Sequence, residues 1–268
     1  MNPGNARVLL TGATGGIGRA VARRLGGEGA ALLLTARDRT QLDALSAELH
    51  AIGAEVAVVA ADLTDEAGRR RVAEAARAEG VNVVVHNAGT NVGALFEDLD
   101  AAAIDTIVTA NVTAPMQLTR LLLPDLRRRE EALLLFMGSG FGAIGYPGFA
   151  AYSASKFALR GFAESLRREL ADTAVAVSLL APRAVDTPLN DARVRDLQAA
   201  MKMAVDPPER IAAEVAGLIR SPRREVHIGW PERFFARINR VAPGMVDGAL
   251  RKQLPAIRAR LRPGDAAT

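Results

Sequence analysis

The 268-residue chain has no cysteine. That excludes disulfides, thiol nucleophiles and cysteine-ligated metal together. Histidine is nearly as scarce: His50, His86 and His227 are the whole supply, and none is spaced from another like a helical zinc pair. No metal site is expected. Aromatic residues make up 4% of the chain, so a core has to come from Val, Leu, Ile and Ala, within an apolar content of 49%. Long hydrophobic runs are missing too. The first apolar stretch is broken by Thr11 and Gly12 and reads as neither a secretory signal nor a membrane span, so the expected compartment is the cytoplasm.

Lysine is confined to Lys156, Lys202 and Lys252, so the net charge of +4 rests on arginine. The pI of about 10.1 raises nucleic-acid binding as a function class. The distribution argues against it. Residues 231–262 hold eight Arg or Lys against two acids, which leaves the rest of the chain slightly acidic. The basic excess belongs to a tail, and no nucleic-acid partner is expected.

What the chain has is alternation. Apolar runs at 6–12, 30–37, 55–64, 81–89, 132–140 and 174–182 read as strands, and 225–230 as a seventh. Helical periodicity fills the intervals after the first three, then residues 102–129 and 151–170. Strands apolar on both faces, separated by helices, predict a parallel sheet covered on both sides: an α/β fold in one domain. Length suits one such domain, and no linker or repeat divides it. Residues 1–230 are expected to form that domain. Residues 231–268 are expected to form a helical extension of it, with two or three short helices separated by Pro243-Gly244 and Pro255. Residues 183–208 form a second excursion from the alternation.

Between the first strand and first helix lies T-G-A-T-G-G-I-G, residues 11–18. In that context Gly12 serves a sharp turn, Gly16 lets backbone approach a diphosphate, and Gly18 permits close packing, with the helix N-terminus offering N–H groups to phosphate. Thr11, Thr14 and Ile17 share the loop and are candidate cofactor contacts. At the end of the second strand Ala36 stands where an acid would select NAD, and Arg37 follows it. A guanidinium there favours the 2′-phosphate of NADP(H) over NAD(H). Asp38 argues the other way; Arg39 reads either as a helper or as a surface charge. Asp62, with Leu63 beside it, is placed to accept from the adenine amino group, and Asn87-Ala88-Gly89 to bring backbone to the adenosine ribose.

Tyr152 and Lys156 stand four apart on the helix at 151–170, one turn above the other. A nearby ammonium stabilises a phenolate and lowers the tyrosine pKa from about 10, making a proton-transfer unit. Taken with the loop at 11–18, Asn87-Ala88-Gly89, Asn111 and Ser139, the pair resembles the classical short-chain dehydrogenase/reductase family, over residues 6 to about 230. The resemblance implies a doubly wound (Rossmann-type) parallel sheet of about seven strands, and a homodimer or homotetramer formed through helices 102–129 and 151–170. It implies that Tyr152 exchanges a proton with the substrate oxygen and that Lys156 tunes Tyr152 and binds the nicotinamide ribose. Ser139 is implied to donate to the substrate oxygen, and Asn111 to hold a water against the lysine. Pro182, Val185 and Thr187 match the segment that contacts the carboxamide, although Arg183 replaces a glycine there. His86 stands where the family often has asparagine and is expected to be packed and neutral.

The expected activity is interconversion of a hydrophobic ketone and secondary alcohol with NADP(H). An NAD(H)-dependent dehydrogenase and a nucleotide-sensing regulator without catalysis are the alternatives. Phe141, Ile144, Tyr146, Phe149, Leu189, Leu197, Met201 and Met203 read as an apolar pocket wall, or as packing of its lid. In the tail Phe234, Ile238 and Val241 alternate with Arg233, Arg237 and Arg240. That pattern fits a helix packed on its own domain or a partner subunit, or a peripheral membrane contact through 231–262.

Overall fold

The computed structural model describes residues 1–261, except the side chains of residues 231–233. The last residues of the expected extension, 262–268, and the Arg233 side chain lie outside the described part. The sheet is built from β1 (Arg7–Thr11), β2 (Ala31–Ala36), β3 (Val56–Ala60), β4 (Val83–His86), β5 (Ala132–Met137) and β6 (Val175–Ala181). A short ribbon of β7 (Ala184–Val185) and β8 (Val205–Asp206) follows, before β9 (Glu225–His227) closes the sheet's far edge. Its order is β3-β2-β1-β4-β5-β6-β9, and each pairing is parallel.

Period two in the strands explains the layers. Val8, Leu10, Val83, Val85, Leu133 and Leu135 face one way and pack against α1 (Gly16–Gly27), α2 (Arg39–Ala51) and α8 (Pro208–Arg220). Leu9, Val84, Leu134 and Phe136 face the other way, toward α3 (Glu66–Ala78), α5 (Ala114–Leu126) and α6 (Ala150–Glu169). With both faces covered, strands have no polar side to show, which is why they read as continuous apolar runs. Chain order reverses between β1 and β4, so their C-terminal ends diverge and leave a crevice there.

The single helix expected over 102–129 is one uninterrupted run of helical backbone over 101–126 that changes type midway. α4 (Ala101–Val108) passes through a π-helical turn at Thr109–Thr113 into α5. Asn111 is the buried residue of that wider turn. Pro255 does not separate helices either. After α7 (Ala192–Ala200) and α8, the tail forms α9 (Trp230–Val241) and α10 (Pro243–Leu261), and α10 runs through Pro255. Buried Ile257 and Leu261 beyond the proline hold that last turn in place, offsetting the lost backbone bond. Among the described residues no helix is long and apolar enough to cross a membrane.

Candidate active site

The glycine-rich loop lies at the crevice. Gly12 has φ +63°, and a side chain there would sit 2.8 Å from Ala88 Cα. Gly18 abuts the Gly12 carbonyl so closely that any Cβ collides with it, so its tight packing is against the loop itself. Asn87 ties the loop down: its Nδ2 donates to the carbonyls of Thr11 (3.0 Å) and Gly12 (3.1 Å), while Thr11 Oγ1 accepts from the Asn87 and Ala88 N–H groups. The Thr14 carbonyl accepts from Arg19 at 3.0 Å.

The helices α2, α3, α4 and α7 each begin with an aspartate that accepts from a first-turn N–H. α1 begins at Gly15 with no such cap. Its first N–H groups are therefore available to an anion, and the glycines leave room for one against the backbone. These residues fit a dinucleotide diphosphate. The Thr187 side chain closes over the same loop, 2.7 Å from where a Cβ on Gly16 would stand.

Around β2 the structure resolves two open readings. Asp38 is committed as the cap of α2, accepting from the Gln41 N–H at 3.0 Å and from its side-chain amide. Arg39 forms an ion pair with Asp43, one turn along, at 2.8 Å, so it is a surface charge. Arg37 is exposed and acts electrostatically on Asp62. The Asp62 carboxyl is held below its usual pKa chiefly by hydrogen bonds from Thr64. Leu63 is partly buried on the neighbouring apolar cluster, and its carbonyl accepts from Arg69.

At the ends of β4 and β5 the other candidate residues converge. Lys156 is 6% exposed and donates from Nζ to the Met137 carbonyl at 3.0 Å, which leaves Nζ 5.6 Å from the centre of the Tyr152 ring. Burial lowers Lys156 to about 8. Tyr152 keeps part of its surface open to a cavity, yet the protein around it is close enough that burial pushes its phenol up, opposed by a hydrogen bond from Ser139. This differs from the lowered tyrosine expected from the i,i+4 pair. The lysine is turned toward Met137, and the desolvation that the sequence does not display outweighs its charge.

Asn111 is 1% exposed, and its amide is fully engaged. Oδ1 accepts from the Thr90 N–H at 2.8 Å; Nδ2 donates to the Thr90 carbonyl at 2.9 Å and to Ser155 Oγ at 3.0 Å. Ser155 passes this on by donating to the Tyr152 carbonyl at 2.7 Å. Gly89 makes room for the assembly: a Cβ there would lie 2.8 Å from Asn111 Oδ1 and 3.7 Å from Lys156 Nζ. His86 is buried, stacks on Phe136 at 4.8 Å and shares a 2.9 Å hydrogen bond with Thr119; burial lowers it to about 3, so it is neutral.

The segment after β6 keeps ordinary backbone at Arg183, because positive φ outside glycine occurs only at Lys202 among the described residues. The Arg183 guanidinium grips Asp206 with two bonds, 2.8 and 2.9 Å, and Arg210 reaches the same carboxylate at 2.8 Å. Asp206 is 3% exposed, and the paired guanidiniums hold its carboxyl below the usual range. The clamp fastens the β7–β8 ribbon, which carries Val185 and leads into Thr187. The Pro182 carbonyl accepts from the Gly140 N–H at 2.8 Å, tying the ribbon to the Ser139 turn.

Tyr152, Ser139 and Lys156 open onto a cavity of about 450 Å³ that also reaches Ile17, Asn87, Gly89, Pro182, Val185 and Thr187. Most of the apolar wall foreseen from sequence lines it, including Phe141, Tyr146, Phe149, Leu189, Leu197 and Met203; Met201 instead packs behind that wall. A third wall was not foreseen. Phe235 and Ile238 of α9 and Val246, Leu250 and Gln253 of α10 line the cavity as well. Gln253 accepts from the Tyr146 hydroxyl at 2.9 Å, Asn239 donates to the Ala143 carbonyl, and Arg260 pairs with Asp196 on α7 at 3.0 Å. The spacing of Val246, Leu250, Gln253, Ile257 and Leu261 is a helical stripe legible in the sequence; its partner was not.

Comparison with known proteins agrees with this geometry. The family described as short chain dehydrogenase matches residues 6–198. Nodulation protein G of Rhizobium sp. (strain N33) is 35% identical over 211 residues, covering 78% of this chain and 84% of that protein. The 3-oxoacyl-acyl-carrier-protein reductase FabG of Escherichia coli (strain K12) is 31% identical over 215 residues, 79% and 86% of the two chains. Among solved structures, a short chain dehydrogenase from Burkholderia cenocepacia J2315 in complex with NADP superposes with a TM-score of 0.76 at 27% identity, covering 83% of this chain and 96% of that one. The chain belongs to the short-chain dehydrogenase/reductase family and carries its oxidoreductase fold and chemistry. The family match ends at residue 198, before the tail helices that complete the cavity.

Proposed function

We propose that this protein is an NADP(H)-dependent oxidoreductase interconverting a hydrophobic ketone and its secondary alcohol. The observation that carries the reading is the meeting of Ser139, Tyr152 and Lys156 in the wall of an apolar cavity that also reaches Ile17 of the glycine-rich loop. Ser139 and Tyr152 donate to the carbonyl oxygen and stabilise the charge that grows there. Tyr152 then transfers its phenolic proton to that oxygen; in oxidation it removes the proton instead. Lys156, protonated at neutral pH, stabilises the phenolate left behind, and Asn111 fixes the Thr90 backbone and, through Ser155, the first turn of α6. The dinucleotide supplies the hydride in reduction and accepts it in oxidation.

Thr11, Gly12, Thr14, Gly16, Ile17 and Gly18 hold the diphosphate half; Asp62, Leu63, Asn87, Ala88 and Gly89 flank the adenosine. Pro182, Val185 and Thr187 face the nicotinamide end. The preference for NADP(H) rests on exposed Arg37 following Ala36, with Asp38 tied up as a helix cap. Residues 1–230 act as the catalytic domain and 231–268 as its extension, which supplies one wall of the cavity. Exposed Val108, Met116 and Phe157 on the α4–α6 side support a homodimer or homotetramer. A cavity of this size and lining suits a medium or long acyl chain better than a sugar.

The test is oxidation of NADPH and NADH with ketones of increasing chain length. Tyr152→Phe should abolish turnover while NADPH still binds, and Arg37→Glu should move the preference toward NADH. Undiminished turnover in Tyr152→Phe would refute the mechanism.

A further inference from the structure

The apolar residues of α9 point in two directions. Ala236 is buried, and Phe235 and Ile238 line the cavity. Trp230, Phe234 and Val241 fall on a neighbouring stripe and are 75%, 51% and 87% exposed, with the Phe234 and Phe235 rings meeting edge-on at 6.0 Å. The Trp230 and Phe234 rings lie parallel and offset on that stripe, centroids 6.0 Å apart. Phe235 and Met245 belong to both worlds: they line the cavity and are also exposed. The cavity mouth and the outward patch are therefore one continuous apolar surface.

The two helices that carry that surface expose more cations than acids, Asp247 being the one exposed acid on α10. Arg237 is exposed on α9 beside the stripe, and Arg251, Lys252 and Arg258 are exposed on α10; Arg240 is partly compensated by Glu225 at 3.4 Å. Residues 231–262 carry six more positive than negative side chains. A second copy docked here about a twofold axis would bring two such segments together, and like charge opposes that. A surface that is apolar within and negative at its face complements both features.

We propose that α9 and the start of α10 dock on an anionic lipid bilayer. Trp230, Phe234 and Val241 enter the headgroup boundary, and Arg237, Arg251 and Lys252 meet the headgroups. The cavity then opens onto the membrane and receives a lipid-like ketone from it. This access route rests on the proposed activity; the docking itself does not.

Trp230 is the only tryptophan in the chain, so its emission reports insertion directly. The full-length protein should sediment with vesicles of phosphatidylcholine mixed with phosphatidylglycerol, with a blue shift, and should not bind phosphatidylcholine alone. Phe234→Ser combined with Val241→Ser should abolish the shift. Arg237→Glu should weaken partitioning roughly 30-fold, since it changes two charges at about fivefold each. These variants should still reduce a short, water-soluble ketone at the wild-type rate. Tyr152→Phe should lose turnover and keep vesicle binding, so failure of either reading shows without the other. Equal binding to neutral vesicles, an unshifted emission on anionic ones, or a shift with protein concentration in the absence of lipid would overturn the proposal; the last would mark a second copy on the patch.

Discussion

Acidification from pH 7 to pH 5 should destabilise the folded protein through His86. Folded, this imidazole is sealed between Phe136 and Thr119 and takes up a proton only near 3, against a usual 6.5. Between those values the unfolded chain holds the extra proton and the folded chain does not, so stability falls as pH falls. The linkage amounts to about 1.4 kcal/mol per pH unit, or about 2 kcal/mol lost by pH 5. The consequence reaches the cofactor, because His86 immediately precedes the Asn87 that ties down the nucleotide loop. Urea unfolding of wild type and His86→Gln at both pH values tests this. The variant should be less stable at pH 7, having lost the ring stack, but should lack the additional acid-dependent loss. An equal fall in both proteins, or none in wild type, would refute the argument.

Asp206→Ala should cost about 3 kcal/mol by urea unfolding, since it strips a buried carboxylate from two guanidiniums; the loosened ribbon should also raise the NADPH dissociation constant in a fluorescence titration. Gly89→Ala should cost about 1–3 kcal/mol in the same unfolding assay and lower kcat, because the new methyl displaces Asn111 from between Thr90 and Ser155. Gln253→Leu leaves the nearly buried Tyr146 hydroxyl without its acceptor, at about 1–2 kcal/mol, and should change KM for long ketones more than kcat.

Much of the architecture was legible because its causes are local. Buried parallel strands need apolar residues on both faces, and the turn at Gly12 and the contact at Gly18 need glycine, so these elements print themselves on the chain. The features that were missed join residues far apart. Arg183 stands in place of a family glycine, and nothing near it in sequence announces a carboxylate 23 positions later. Ser155 is an ordinary small residue in a helix until Asn111 is seen to reach it. Pro255 reads as a break, and only the burial of Ile257 and Leu261 beyond it shows why the helix continues. The Tyr152 pKa illustrates a further limit: spacing displays the neighbouring charge, whereas the degree of burial appears only in three dimensions.

The third wall of the cavity has a consequence in time. During synthesis the nucleotide crevice, formed by β1 and β4, emerges within the first third of the chain, and β6 is complete by residue 181. At roughly 5–20 residues per second, residues 182–261 follow β6 by several seconds. A domain folds as a unit, and α8, which packs with α1 on the β1 side of the sheet, belongs to this late stretch. The cavity is thus completed by the chain made last: a polypeptide cut short before α9 lacks the third wall.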